Sequence, residues 1–277
     1  LRLVALGAFI GIAFLSYGYW EATRPPIART ATIALKDWPD NMPPLRIVLL
    51  ADTQMAGPDM TPERLKDITA QINREKADLV LLGGDYISEK TAATAHYSAD
   101  EAIAPLADLQ ARLGVVAVLG NHDYWANEAA FIAALKQYNI SLLRNQAIAI
   151  GPVNLIGIDD EFTGHADVMA ASTSLALLPD APNLVLTHDP DIIPDIPFDT
   201  ALIMAGHTHC GQIVLPFIGP LTSVSKYGMR FHCGLFEDEG RKIVITAGTG
   251  TSILPLRIGA RPDYWVITLL AADDADA

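Results

Sequence analysis

Cysteine is almost missing from this chain: its 277 residues include two, Cys210 and Cys233. Two thiols exclude a small domain framed by disulfides. Each reads as a small buried apolar residue, with pairing or metal binding as the alternatives. Basic residues are scarce as well, 19 Lys and Arg against 32 Asp and Glu, for a net charge of -13. That balance repels nucleic-acid backbones, so no nucleic-acid partner is expected. It does not exclude a small phosphorylated substrate held by metal ions. Charged residues are 18% of the chain and hydrophobic ones 51%, which excludes a disordered chain. The length suffices for one large domain or two small ones with a sizeable core. No internal repeat is present.

Charge is absent altogether from residues 3–20, LVALGAFIGIAFLSYGYW. As a helix this stretch would run about 27 Å, close to the hydrocarbon thickness of a bilayer. Tyr17, Tyr19 and Trp20 cluster at its end, as interfacial aromatics do. No small-x-small cleavage site follows in EATRPPIART, so residues 1–22 read as a retained single-pass membrane anchor rather than a signal peptide. Arg2 on one side against Arg24, Arg29 and Lys36 on the other leaves its orientation open. Gly7 and Gly11 form a GxxxG pair, a weak pointer to helix pairing. Residues 23–44 carry Pro25, Pro26, Pro39, Pro43 and Pro44 and read as a Pro-rich linker or an extended edge segment.

From Leu45 the pattern becomes regular. LRIVLLAD, ADLVLLGGD and GVVAVLGNHD are apolar runs ending in polar residues, the mark of buried strands. Between them, TPERLKDITAQINREK is a helix capped by Thr61 with Pro62 in its first turn and Leu65, Ile68 and Ile72 on one face. SADEAIAPLADLQARL opens with Ser98 and Glu101 in capping-box spacing, and NEAAFIAALKQY is capped by Asn127. Strands are expected at 140–144, 153–158, 183–187, 201–205, 242–247 and 264–270, with a short helix near 167–178. Strand–helix alternation early and strand richness later predict an α/β fold, two packed mixed β-sheets flanked by helices. The last residues, 271–277, read as an acidic tail.

Polar residues fall where the apolar runs end: Asp52, Asp85, Asn121 with His122 and Asp123, His188, and His207 with His209. Any one alone would read as a turn or cap residue. Together they bring carboxylate, amide and imidazole groups to the edge where α/β sheets bind ligands. This donor set suits Mn, Fe, Zn or Mg better than a thiolate-seeking metal.

The ordered blocks ADTQ (51–54), GGDY (83–86), GNHD (120–123), THD (187–189) and GHTH (206–209) resemble those of the calcineurin-like metallophosphoesterases over roughly residues 45–270. GHTHCGQ, TAGTGTSILPLR and the N-terminal segment are similar to a bacterial membrane-linked branch resembling UDP-2,3-diacylglucosamine hydrolases. The resemblance implies the four-layer αββα fold and a two-metal hydrolase of phosphate esters or pyrophosphates, with a phosphorylated small-molecule or lipid substrate. It implies Asp85 as the bridging carboxylate, Asp52, Gln54 and His209 at a first metal, and Asn121, His188 and His207 at a second. His122 would stand beside the scissile phosphate, with Asp123 orienting it through the far ring nitrogen. Gln54 takes the place of the family's usual His and offers a harder, weaker oxygen donor. That substitution supports one other reading, a non-catalytic relative that binds a phosphorylated ligand. Arg230 and Arg257 read first as ion-pairing surface residues, with bidentate contact to a substrate phosphate as the alternative. The apolar, Pro- and Gly-broken run 213–231 reads equally as a lip facing lipid and as a loop tucked onto the core.

Overall fold

The computed structural model describes residues 2–39 and 41–272. The expected acidic tail lies outside the described residues from 273 onward. Helix α1 (Arg2–Thr23) precedes strand β1 (Ile27–Leu35). An alternating run follows: β2 (Leu45–Leu50), α2 (Pro62–Asn73), β3 (Leu79–Leu82), α3 (Ala99–Ile103), β4 (Val115–Ala117), α4 (Asn121–Gln137) and β5 (Ser141–Leu142). The second half holds β6 (Gln146–Ile150), β7 (Val153–Gly157), α5 (Val168–Leu175), β8 (Asn183–Leu186) and β9 (Leu202–Ala205). It continues with the hairpin β10 (Val214–Leu215) and β11 (Gly219–Pro220), then β12 (Gly234–Asp238), β13 (Arg241–Ile245) and β14 (Asp263–Ala271).

Two six-stranded mixed sheets result, ordered β1-β14-β2-β3-β4-β5 and β12-β13-β9-β8-β7-β6. Alternate residues of each strand serve different layers, because side chains point to opposite faces with period two. Ile47 and Leu49 of β2 face the second sheet, where Leu155, Leu184, Leu202 and Val244 meet them. Val48 and Leu50 face outward under Leu65, Ile68 and Ile72 of α2 and Phe131 and Leu135 of α4. On the far side, Ile156, Val185, Ile203 and Ile243 lie under Ala171 of α5 and Ile192, Ile193 and Phe231. Burial on both faces explains why these strands read as unbroken apolar runs rather than alternating ones.

The caps form as their chemistry requires. Thr61 accepts from the Arg64 N–H, and Ser98 with Glu101 forms a reciprocal capping box. The helix after Ser98 ends at Ile103 and tightens into a 3₁₀ turn carrying Pro105, shorter than the pattern predicts. Asn127 has extended backbone inside α4, and its Oδ1 accepts from the Ala130 N–H, so it caps the second of two joined helical pieces. Four strands escape the sequence pattern, β6, β10, β11 and β12, and the segment 23–44 takes the edge-segment alternative of its reading. β12 pairs with β13, and β1 lies within residues 23–44 as an edge strand running parallel to β14.

β2, β3 and β4 are mutually parallel, as are β7, β8, β9 and β13. Their carboxyl ends deliver Asp52, Asp85, Asn121, His188 and His207. At the other end of the strands lies a trough of about 1190 Å³, bordered by Lys36, Asp180, Pro197 and Arg241.

Candidate metal centre

Asp85, three residues beyond β3, is the hub. Its carboxylate belongs to two groups of converging donors, one with His188 and His207 and one with Asp52 and His209, each group's ligand atoms lying within 4.8 Å of one another. All five side chains are buried.

In the group with His188, orientation is set by the backbone. His188 Nδ1 lies 2.7 Å from the Gly83 carbonyl, which only accepts, so Nδ1 carries a hydrogen. Nε2 then faces Asn121 Oδ1 at 3.2 Å, His207 Nδ1 at 3.2 Å and Asp85 Oδ2 at 3.3 Å. Four electron-rich atoms crowd one point. Burial lowers the His188 pKa, but Asp85 outweighs it and holds His188 above its ordinary value. Burial likewise raises Asp85, and His188 and His122 outweigh it, so Asp85 stays below the usual carboxylate range. A proton thus takes up the charge balance that a cation would supply. Burial, then His188, pushes His207 down to about 3, which keeps its ring neutral and its lone pair free.

The group with Asp52 is built differently. Asp52 Oδ1 lies 3.5 Å from His209 Nε2, and both Asp52 oxygens accept from the His207 N–H at 3.1 Å. Burial pushes the Asp52 carboxyl up to about 7. Burial, then the neighbouring Arg257, holds His209 well below its ordinary value and therefore neutral. Gln54 presents its amide nitrogen, which donates to Asp85 Oδ2 at 2.7 Å and stands 3.5 Å from His209 Nε2. Its Oε1 is buried without a partner. A half-turn of the amide exchanges the two atoms and presents oxygen to the cluster. Oxygen and neutral imidazole donors around a shared carboxylate fit two divalent ions, and the orphaned Gln54 oxygen fits a ligand still to be engaged.

The backbone is as unusual as the side chains. Asp52 (φ 50°), Gln54 (48°), Asp85 (55°), His207 (67°) and His209 (50°) all occupy the left-handed region. Each such residue costs roughly 1–3 kcal/mol and persists only where its surroundings enforce it. Here they do. The Asp52 N–H donates to Gly84 O, the Gln54 N–H to Asp85 O, and Thr249 and Gly250 both donate to Asp52 O. Gly248, at φ +71°, lets the loop after β13 approach so closely that an added Cβ would stand 2.4 Å from the Asp52 Cβ. A buried Lys90–Asp59 pair, with Thr251 bonded to both, ties that loop down.

Several expectations change here. Asp123 does not orient His122. Its Oδ2 accepts from the Asp85 and Gly120 N–H groups and its Oδ1 from Tyr86, so it fixes the turn that aims Asp85. His122 Nδ1 is buried without a partner, and its Nε2 lies 4.0 Å from Asp85 Oδ2. Cys210 and Cys233 are paired, correcting the reading of two separate buried thiols. Thr208 donates to the His232 carbonyl and brings the two segments together. Arg257 is fully buried, neither a surface ion-pair partner nor a phosphate contact. It donates to the carbonyls of Ala247, Gly250 and Ala260 and to the His209 ring at 3.3 Å. Arg230 does pair at the surface, with Asp238 and Glu239.

Above the donors lies a cavity of about 440 Å³, with Asp85, Asn121, His122 and His207 at its floor. Trp125, Phe162, Leu221, Ile253 and Leu254 line its walls. The ring of Trp125 meets His122 edge-on at 5.0 Å, and Phe162 stands 5.1 Å from His207. Nothing in the sequence flags Phe162, and Ile253 is marked only as part of TAGTGTSILPLR. Trp125 was findable, because a residue three positions after His122 on a helix shares its face.

Helix α1 is long and apolar enough to cross a bilayer, a property that signal sequences share. Its last turn is docked. Gly18 packs on Leu256, the Arg257 N–H donates to Gly18 O at 2.9 Å, and Arg64 donates to Ala22 O at 2.8 Å.

Comparison with known proteins agrees with this geometry. Residues 45–211 match the model of the family described as Calcineurin-like phosphoesterase. The chain is 32% identical over 267 residues to phosphodiesterase YaeI of Escherichia coli (strain K12), covering 92% of this chain and 93% of that one. It is 28% identical to a bovine (Bos taurus) transmembrane protein with metallophosphoesterase domain, covering 97% of this chain and 62% of the relative. The chain thus spans about six-tenths of that relative's length. Among solved structures, NAD nucleotidase of Haemophilus influenzae shares the fold at a TM-score of 0.51 and 14% identity, over 75% of this chain and 46% of that one. Taken with the match over residues 45–211, these findings establish that the chain belongs to the calcineurin-like phosphoesterase family.

Proposed function

We propose that this protein hydrolyses phosphate esters or pyrophosphates at a two-metal centre. One observation carries the reading: Asp85 is shared by two clusters of buried carboxylate and imidazole donors on the carboxyl edge of two sheets. Asp52, Gln54 and His209 would hold a first divalent ion with Asp85, and Asn121, His188 and His207 a second. Bound there, the ions would supply Lewis-acid charge to a phosphoryl group and would lower the pKa of a bound water toward neutrality. The chain's own groups do the rest. His122, at the cavity floor and only partly buried, would donate a hydrogen bond to a phosphate oxygen or a proton to the leaving oxygen. Trp125 fixes its ring from one side. Asp123 and Arg257 position Asp85 and His209 without touching substrate.

The finer substrate class is a phosphate ester carried on a lipid, of which UDP-2,3-diacylglucosamine is one form. The aromatic and aliphatic cavity walls support it, since a purely polar substrate has no use for them. We read α1 as a retained anchor, supported by its docked last turn.

The Gln54 nitrogen on Asp85 favours a second reading, a ligand-binding relative with an incomplete first site. Turnover of bis-p-nitrophenyl phosphate by the full chain with Mn²⁺, Fe²⁺, Zn²⁺ or Mg²⁺ separates the two. Release of p-nitrophenolate with at least one metal is expected; folded, metal-loaded protein that turns over none of these rejects the hydrolase reading.

A further inference from the structure

The donor cluster accounts for the cavity floor but not for the apolar surface around its mouth. Phe217 and Ile218, at the tip of the β10–β11 hairpin, are fully and 72% exposed, and Ile253, on the loop after β13, is 66% exposed. Leu221 and Leu254 beside them are also exposed. Contiguous exposed apolar groups at a cavity mouth mark a contact surface, whereas scattered ones need no explanation.

These groups are stitched to one another. The Val214 N–H donates to Ile258 O, and the Ile258 N–H to Gln212 O, joining the base of the hairpin to the loop. The Gln212 side chain donates to Leu254 O and accepts from the Ser252 N–H. The Cys210–Cys233 disulfide closes the segment that carries the hairpin. The same loop holds α1. Leu256 packs on Gly18 and the Arg257 N–H bonds to Gly18 O, two and three residues beyond Leu254. Gly18 sits among Tyr17, Tyr19 and Trp20, whose exposed rings suit a membrane–water boundary. A bilayer crossed by α1 therefore has its surface level with Leu256, within the 252–256 loop and close to the base of the hairpin that Ile258 holds.

We propose that the hairpin tip and the 252–256 loop form a lip that inserts into the leaflet at which α1 ends, so that the metal cavity opens onto the bilayer and receives lipid-borne phosphate esters from within it. The inference rests on reading α1 as an anchor, and its substrate clause deepens the hydrolase reading above.

The test uses the full chain in nanodiscs of phosphatidylethanolamine and phosphatidylglycerol, with and without acyl-chain bromine. Phe217→Trp should add emission that bromine quenches as strongly as it quenches Trp20. Leu177→Trp, on an exposed residue at the end of α5, should add emission that bromine leaves alone. An unquenched Trp at 217, equal quenching at both positions, or a chain that leaves the discs overturns the lip. So does a dimer in detergent that F217S/I218S dissociates, since the face would then belong to a second copy. None of these outcomes involves turnover, so the hydrolase reading stands or falls separately. In the second arm, F217S/I218S should raise KM for a vesicle-embedded diacylglycerol p-nitrophenyl phosphodiester at least about tenfold, the equivalent of one apolar side chain left in water. KM for bis-p-nitrophenyl phosphate should stay unchanged. Equal losses on both substrates overturn the proposal.

Discussion

The two halves of the donor cluster share Asp85 and differ in nearly everything else. Around His188 the atoms are already aimed. A backbone carbonyl fixes the tautomer, and three further donors lie within 3.3 Å of Nε2. Around His209 the two contacts to Nε2 are 3.5 Å long, an amide nitrogen meets the shared carboxylate, and Asp52 is pushed up to about 7 by burial. Preorganisation lowers the cost of binding. Each half must lose one proton, from His188 or from Asp52, so the difference lies in geometry: the half around His188 should bind its ion tightly, and the half around His209 should bind weakly because Gln54 must turn. The lesson is that a donor set legible in one dimension says which atoms are present, whereas affinity depends on which of them are held ready.

The largest disturbance of this contrast abolishes it. Asp85→Asn removes the one carboxylate common to both halves and should cost at least about 100-fold in turnover, the upper range for losing even an outer partner of a metal ligand. Metal analysis of the variant should find both ions weakened; loss of only one would show that Asp85 is not shared.

The next disturbance is pH. A carboxylate must be deprotonated to bind metal, and Asp52 is protonated below about 7 in the metal-free chain. The raised His188 holds a second proton that a metal must displace. Affinity should then fall as pH drops through about 7, by roughly tenfold per pH unit for each proton displaced. His188 belongs to one half and Asp52 to the other, so each ion displaces one proton; below about pH 7 both affinities should fall together, whereas above it Asp52 is already ionised and only the half around His188 should keep its pH dependence. Titrations above about pH 7 that fall in parallel for the two ions would break the distinction.

A smaller effect separates support from ligation. Arg257→Lys keeps the charge but cannot satisfy three loop carbonyls and the His209 ring together. It should weaken the His209 half about tenfold, leave the His188 half unchanged, and lower the thermal midpoint. Equal weakening of both ions would make Arg257 a general structural residue rather than a brace for His209.

Much of this was readable from the chain. Each donor follows an apolar run, because strands buried on both faces leave no ambiguity about where they end. Thr61, Ser98 and Asn127 cap helices because their side chains satisfy local N–H groups, an interaction contained within a few residues. What escaped depends on distant chain. The segment 23–44 could be read only as a linker or an edge segment, because the partner of β1 is β14, tied to it by the Arg29–Asp263 pair 234 residues apart. The Cys210–Cys233 pairing and the burial of Arg257 need segments that meet only in the folded protein. Asp123 was given the wrong duty because its neighbour in sequence was His122, whereas its bonds run to the turn at Asp85 and Tyr86. The left-handed backbone of five candidate ligands leaves no trace in composition at all.

Stepwise metal titration of the full chain and of Gln54→His, read by calorimetry with a metal count on each sample, tests the inequality of the two halves most directly. The wild type should bind two ions in separate steps. The variant should tighten only the weaker step, because an imidazole nitrogen replaces an amide that now donates to Asp85. Two equal steps in the wild type, or a variant whose titration is unchanged, would contradict it.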